Sequence, residues 1–224
     1  PYTTLFRSMR PRDAATLIIL RERREVLLGV RSAGHVFMPH NYVFPGGRVD
    51  AGDARVPCPV SLRSEVEAKL LCSTTAARAR ALGMAAIRET WEETGLAVGH
   101  PTHRSQPSRS AGWRAFFAEG YVPALDRLDY FARAITPPGR VRRFDARFFT
   151  VDAQYAHGQL AQALLGVAKE LLVGRTEIVV AVSCGVAVRV VVAHQGAAVV
   201  ADGQPAARPT GRVAAPLAGI EPCG

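Results

Sequence analysis

The chain has 224 residues, of which 48% are hydrophobic and 21% charged, so it is long enough for one globular domain with a full core. Twenty-eight basic and 19 acidic residues give a net charge of +9. That charge suits nucleic acid, an acidic membrane surface or a small polyanionic substrate, and without a block of five like charges it does not choose among them. The longest apolar-and-small run, residues 178–188, is too short to span a bilayer, so we expect no membrane partner.

The four cysteines show neither C-x-x-C spacing nor a histidine at the distance typical of zinc fingers. A zinc site is therefore not expected. Without a recognisable secretory signal, the sequence indicates reduced thiols in a cytoplasmic protein.

Both ends of the sequence differ in character from its middle. The opening string PYTTLFRS resembles translated read-through of a sequencing adapter, so we expect residues 1–8 to be non-native and the domain to cover residues 9–160. Residues 161–224 are rich in Ala and Val, and nine of these 64 residues are charged. Two interpretations of this segment stay open: a frameshift in GC-rich DNA, or a native Val-rich strand followed by a flexible tail.

The expected elements, in chain order, mix strands and helices without a tandem repeat. Apolar β-rich runs on either side of RERR predict a hairpin, and Pro45-Gly46-Gly47 is expected to end the third strand. Ser61 is a candidate N-cap for the first helix. The mixture predicts an α/β or α+β layered domain. The expected strands are residues 15–20, 25–30, 42–44, 96–98, 130–135 and 144–151, and the expected helices are residues 61–71, 75–94 and 113–120.

The end of the long predicted helix, RETWEETGL, carries an electrostatic conflict. Glu89, Glu92 and Glu93 share one helical face, where like charges repel. They also lie near the negative end of the helix dipole, because Gly95 is expected to end the helix. We therefore expect a positive partner. Three carboxylates on one face suit a hard cation such as Mg²⁺ or Mn²⁺, and we place Arg88 off the direction of Glu92 and Glu93 but within reach of a carboxylate.

FPGG, followed later by RETWEETGL, resembles the two halves of the Nudix box. Gly47 matches its first Gly, and Asp53 stands at the position of its first Glu. Between Asp53 and Arg88 lie 34 residues where the family has seven, an insertion of 27 that occupies about residues 54–80. A box split in this way, and the phrases LLGVRSAGHVFMPHNYVFPGG and ARAITPPGRVRRFDARFF, resemble the branch of coenzyme A and acyl-CoA diphosphatases.

The resemblance implies an α/β/α sandwich around a mixed sheet. It also implies that Glu89, Glu92 and Glu93 ligate Mg²⁺ or Mn²⁺ together with the Gly47 carbonyl. Arg88 would orient a glutamate, and Glu89 or Glu92 would assist deprotonation of the attacking water, although the general base stays open.

For the CoA branch, the resemblance extends to Leu27, Leu28, Arg31 and Ser32. Arg31 and Ser32 would bind the substrate, with Arg31 meeting a phosphate of its 3′-phospho-ADP half, because a guanidinium fork suits phosphate oxygens. A solvated arginine after a strand is the alternative.

Three classes of function follow. The first is hydrolysis of CoA or acyl-CoA to 3′,5′-ADP and (acyl-)4′-phosphopantetheine. The second is a Nudix pyrophosphatase of another nucleoside diphosphate derivative. The third is a non-catalytic Nudix-like binding module or a basic nucleic-acid binder. The intact glutamates disfavour loss of catalysis, and sparse aromatic residues disfavour nucleic acid as a partner. Oligomeric state stays open, with a homodimer as one alternative.

Overall fold

The structure is a computed structural model. It describes residues 10–21, 25–30, 42–104, 106–138, 142–158, 176–181, 187–193 and 196–200. The three helices of this part are α1 (Ser64–Leu71), α2 (Ala76–Thr94) and α3 (Ala111–Ala118). The strands are β1 (Arg12–Arg21), β2 (Glu25–Val26), β3 (Gly29–Val30), β4 (Tyr42–Val43), β5 (Gly46–Arg48), β6 (Ala97–Pro101), β7 (Tyr121–Pro123), β8 (Asp129–Ile135), β9 (Phe144–Asp152), β10 (Ala156–His157), β11 (Thr176–Ala181), β12 (Ala187–Ala193) and β13 (Gly196–Val200).

The largest sheet has the strand order β2-β1-β9-β8, with β5 also paired to β1. β1 runs parallel to β9, whereas its pairs with β2 and β5 and the β8–β9 pair are antiparallel, so the sheet is mixed. This confirms the predicted α/β fold around a mixed sheet, and the β1–β2 pair confirms the predicted hairpin. Smaller sheets have the orders β10-β6-β7, β3-β4 and β11-β12-β13.

β1 is the central strand because its apolar run is buried on both faces, as a strand inside a layered sheet requires. On one face, Leu17 and Phe149 pack with Leu82 of α2 in the main core. On the other face, Ala146 and Phe148 of β9 form a second cluster with Ala14.

α2 packs on β1 and β5, and both α1 and α3 pack on α2. The insertion predicted at residues 54–80 thus contains α1 and the start of α2. Val66 and Leu70 of α1 are buried in the main core. Among the described residues, no helix has the length and apolar character that crossing a membrane would need. Cys58 and Cys72, the two cysteines within the described ranges, are free thiols.

Two local predictions are wrong. The third strand does end before Pro45, as predicted, but Gly46 and Gly47 are not a turn: they begin β5, because Gly46 pairs with Thr16 and Gly47 with Ala15 of β1. Ser61 is not the cap of α1, whose N-cap is Arg63 without a side-chain hydrogen bond. The predictions about residues 1–8 and most of those about residues 161–224 lie outside the described residues, apart from strands β11 to β13.

Candidate active site

One helix supplies four of the charged residues that the sequence singles out: Arg88, Glu89, Glu92 and Glu93. α2 begins at Ala76, and its N-cap is Thr75, whose side chain accepts a hydrogen bond from the Arg78 N–H at 3.4 Å. It ends at Thr94, and its C-cap is Gly95, which has a left-handed φ of 69° and whose N–H donates to the Trp91 carbonyl. A residue with a Cβ is strained in that conformation, so glycine is favoured there. The helix therefore stops directly after its acidic face.

The Gly46–Gly47 corner lies against that acidic face. The Gly46 N–H donates to Glu93 Oε2 at 3.0 Å. A Cβ on Gly47 would lie 2.5 Å from the carboxyl carbon of Glu89, which is far inside van der Waals contact. Backbone and carboxylates approach this closely because neither residue carries a side chain.

Arg88 is the positive partner that the charge conflict requires. Its side chain is 5% exposed, and its Nη1 lies 2.7 Å from Glu92 Oε2 and 3.0 Å from Glu89 Oε1. Its Nη2 also donates to the Arg48 carbonyl at 2.9 Å. Our expectation that Arg88 lies off the direction of Glu92 is wrong, since residues four apart on a helix are neighbours.

Asp53 anchors the other edge of the Arg88 guanidinium. Its carboxylate is buried and accepts from Arg88 Nε at 2.9 Å and Nη2 at 3.2 Å. It also accepts from the Trp113 indole N–H at 3.0 Å and from the Asp50 N–H at 2.8 Å. With all these donors, Asp53 acts as the counterion that orients Arg88.

The electrostatics of the site follow from burial and this shared cation. Burial raises the pKa of Glu89 above its ordinary value, although the Arg88 charge opposes the shift, and the neighbouring Glu92 carboxylate adds to it. Burial by itself would lower the pKa of Arg88, but the hydrogen bond and charge of Asp53 raise it above its ordinary value. Arg88 therefore stays charged and offsets the repulsion among the carboxylates.

The donor chemistry of the site fits a hard divalent cation, because carboxylate and carbonyl oxygens are what such ions prefer. The glutamate side chains are not, however, already arranged to coordinate a metal ion. Within the described part of the chain, no three acidic, His or Cys side chains form a group that could hold a metal ion. The reason is visible in the contacts: Glu92 is turned toward Arg88, and Glu93 is turned toward the Gly46 N–H.

The structure brings the predicted residues Arg88, Glu89, Glu92 and Glu93 together on α2, with Gly47 against Glu89. Arg31 and Ser32 lie outside the described residues, so their predicted substrate contacts stay a prediction. Sequence reasoning missed the Trp113 contact. Trp113 lies 60 residues from Asp53 in the chain, and the one available signal was that Asp53 occupies the position of the first acidic residue of the box.

This fold and site define an α/β protein in which one buried arginine pairs with the glutamates at the end of a helix. The chain is similar to the crystal structure of a NUDIX hydrolase from Alicyclobacillus acidocaldarius, with a TM-score of 0.50 and 26% sequence identity over 68% of this chain and 76% of that chain. No protein-family model matches the chain, and no curated protein matches it. The structural likeness supports the Nudix family, whose fold suggests hydrolysis of a pyrophosphate bond.

Proposed function

We propose that the chain is a metal-dependent Nudix hydrolase that cleaves the pyrophosphate of CoA or acyl-CoA to 3′,5′-ADP and (acyl-)4′-phosphopantetheine. The observation that carries the proposal is Arg88. It is buried, it is fixed by Asp53, and it hydrogen-bonds or pairs with two glutamates of a cluster that faces a Gly-Gly corner. The similarity to a solved NUDIX hydrolase supports the reaction class. CoA as substrate rests on the sequence resemblance around LLGVRSAGHVFMPHNYVFPGG.

In this proposal, Glu89, Glu92 and Glu93 with the Gly47 carbonyl would hold Mg²⁺ or Mn²⁺. When bound, such a cation neutralises pyrophosphate charge and lowers the pKa of a coordinated water. Arg88 holds the Glu89 and Glu92 carboxylates at a fixed separation from each other. One of these two glutamates would accept the proton of the attacking water. The water oxygen would bond to one phosphorus as the bridging P–O bond of the pyrophosphate breaks.

The test is CoA hydrolysis by the purified chain with and without Mg²⁺ or Mn²⁺. Glu93→Gln removes a carboxylate that faces Gly46, and Glu119→Gln makes the same change at the exposed end of α3. We expect metal-dependent release of 3′,5′-ADP that Glu93→Gln abolishes and Glu119→Gln preserves.

Other outcomes redirect the proposal. A folded protein that cleaves a different nucleoside diphosphate derivative would keep the reaction class and replace CoA as the substrate. A folded protein that binds such compounds without cleaving any of them would establish a Nudix-like binding module instead of an enzyme.

A further inference from the structure

We propose that α3 contributes to the function of this site. Its Trp113 is a positioning residue, which acts on the glutamates of α2 through Asp53 and Arg88. The inference rests on the proposed function, and it adds a helix that lies outside both halves of the sequence motif. Its first support is a single hydrogen bond. The Trp113 indole N–H donates to Asp53 Oδ1 at 3.0 Å, and both side chains are buried.

An indole has one hydrogen-bond donor, and in a buried Trp that donor usually finds a partner. Trp113 directs it to a buried carboxylate 60 residues away in the chain. The same Asp53 oxygen accepts from Arg88 Nε at 2.9 Å. Trp113 therefore fixes the oxygen on which Arg88 is aligned.

The effect passes from Arg88 to the glutamates, because Arg88 Nη1 contacts both Glu89 and Glu92. Any rotation of the Asp53 carboxylate turns the guanidinium plane. Since the guanidinium is rigid and planar, such a turn moves Nη1 relative to both carboxylates. Trp113 thus sets the geometry of groups that it does not touch.

The preceding residue of α3 makes a second and independent contact with the cluster. A Cβ on Gly112 would overlap Glu92 Oε1, so the first turn of α3 forms one wall beside this carboxylate. α3 is kept in place by its two fully buried aromatic side chains, Trp113 and Phe116, which pack in the main core. The helix therefore has a fixed position from which to place Glu92.

Trp113→Phe tests the inference, because it removes the N–H and keeps an aromatic ring in the core. Trp91→Phe is the matched control: it makes the same change at a ring that packs on Phe116, and within the described part of the chain Asp53 accepts its indole hydrogen bond from Trp113 and not from Trp91. We expect Trp113→Phe to weaken Mn²⁺ binding and to slow hydrolysis by about 10-fold or more, the range seen when an outer-shell partner is lost. Trp91→Phe should stay within about two-fold of wild type on both measures. Mn²⁺ binding is read by electron paramagnetic resonance and melting by circular dichroism.

Gly112→Ala gives a second route that does not depend on the folding of Trp113→Phe. Alanine favours a helix over glycine, so the melting temperature should stay level or rise. The new methyl group must displace the Glu92 carboxylate, so Mn²⁺ binding should weaken. If α3 had a purely structural role, Gly112→Ala would change the melting temperature and leave Mn²⁺ binding unchanged.

A double-mutant cycle with Asp53→Asn separates positioning from packing. If Trp113 acts through Asp53, adding Trp113→Phe to Asp53→Asn should cause little further loss of Mn²⁺ affinity. Equal losses in both backgrounds, or Trp113→Phe and Gly112→Ala with wild-type affinity, would overturn the inference, as would a wild-type protein that binds no Mn²⁺. A wild-type protein that binds Mn²⁺ but cleaves no diphosphate would overturn the proposed function alone.

Discussion

Single residues at this site are constrained by what surrounds them. The buried Arg88 side chain contacts three carboxylates and one backbone carbonyl. Among the side chains, arginine alone has enough N–H donors, in a fixed planar arrangement, to do this. Gly47 must leave the space that the Glu89 carboxylate occupies. Each constraint can be tested by one substitution with a nearby control.

Gly47→Ala should reduce hydrolysis by about 100-fold, because the added methyl group pushes Glu89 out of place and small misplacements near reacting groups are that costly. Gly52→Ala is the control, since its Cβ would meet only Ser110 Cβ at an ordinary 3.9 Å. Steady-state kinetics and a melting curve on both variants measure the effect. Equal activity in the two alanine variants would contradict this account of Gly47.

Arg88→Met should lower the free energy of unfolding by about 3–5 kcal/mol, the usual cost of leaving a buried charge without its partner. The buried charge in question is Asp53, which would keep only the donors of Trp113 and Asp50. Urea unfolding measures the loss. Arg55→Met, at an exposed position, should change stability by no more than about 0.5 kcal/mol. A loss below about 1 kcal/mol in Arg88→Met would show that Asp53 is not held as described.

At the scale of elements, the segment predicted to be an insertion, residues 54–80, contributes buried side chains to the core of the domain. Arg63, just before α1, donates to the Leu128 carbonyl and pairs with Asp129 at the start of β8. Arg80 of α2 donates to the carbonyls of Ala54 and Val56 in the loop that precedes α1. The Arg63 contacts join this segment to the rest of the fold, and the Arg80 contacts join its two ends to each other.

Leu70→Ala should cost about 2–5 kcal/mol of unfolding free energy, because the Leu70 side chain is fully buried and its removal leaves a cavity. Leu71 is the control next to it in α1, and it is 45% exposed. Leu71→Ala should cost no more than about 0.5 kcal/mol. Chemical denaturation of both variants makes the comparison. Similarly small losses of unfolding free energy in Leu70→Ala and Leu71→Ala would mean that α1 does not contribute to the core.

The β8–β9 pair carries a second charge network, on Asp145. Arg133 donates to both of its oxygens at 2.8 Å, and the fully buried Arg147 also pairs with it. Burial by itself would raise the pKa of Asp145, but the hydrogen bonds from Arg133 and the charge of Arg147 hold it below its ordinary value. The folded state therefore binds this proton less readily than the unfolded chain.

Because the Asp145 pKa is depressed on folding, its contribution to stability is present above the unfolded pKa of about 3.9 and is lost as pH falls through the lower folded pKa. Stability should therefore decline on acidification below about pH 4, and Asp145→Asn should be less stable at neutral pH with a shallower decline. Urea unfolding measured across acidic pH tests this. Parallel curves for the two proteins would exclude Asp145 as a source of the acid sensitivity.

At the scale of the whole molecule, the net charge of +9 suits both a polyanionic substrate and a nucleic-acid partner, and the salt dependence of binding distinguishes the two. Non-specific binding of nucleic acid depends steeply on salt, because each phosphate contact releases counterions. We expect any binding of single-stranded DNA at low salt to vanish at about 0.15 M salt, while CoA hydrolysis persists. Fluorescence anisotropy and the hydrolysis assay in one salt series measure both. Tight DNA binding that survives this salt would favour a nucleic-acid binder.

The local parts of the fold and site were predictable from sequence. β1, α2 and β9 follow from apolar runs, helix propensity and the Gly95 stop, since those signals depend on residues close together in the chain. The β5 strand was not predictable in this way. Pro45 and the two glycines indicate a turn, but Gly46 and Gly47 adopt a strand conformation that depends on pairing with Thr16 and Ala15 of a distant segment.

The sequence by itself determined the acidic face of α2 and the need for a cation beside it, because the spacing of Glu89, Glu92 and Glu93 fixes their positions on any helix. The tertiary structure decided which groups meet that face. It set the Gly46–Gly47 corner against the glutamates and placed Trp113 on Asp53. Such contacts depend on how strands and helices pack across dozens of residues, and no local pattern in the sequence records that packing.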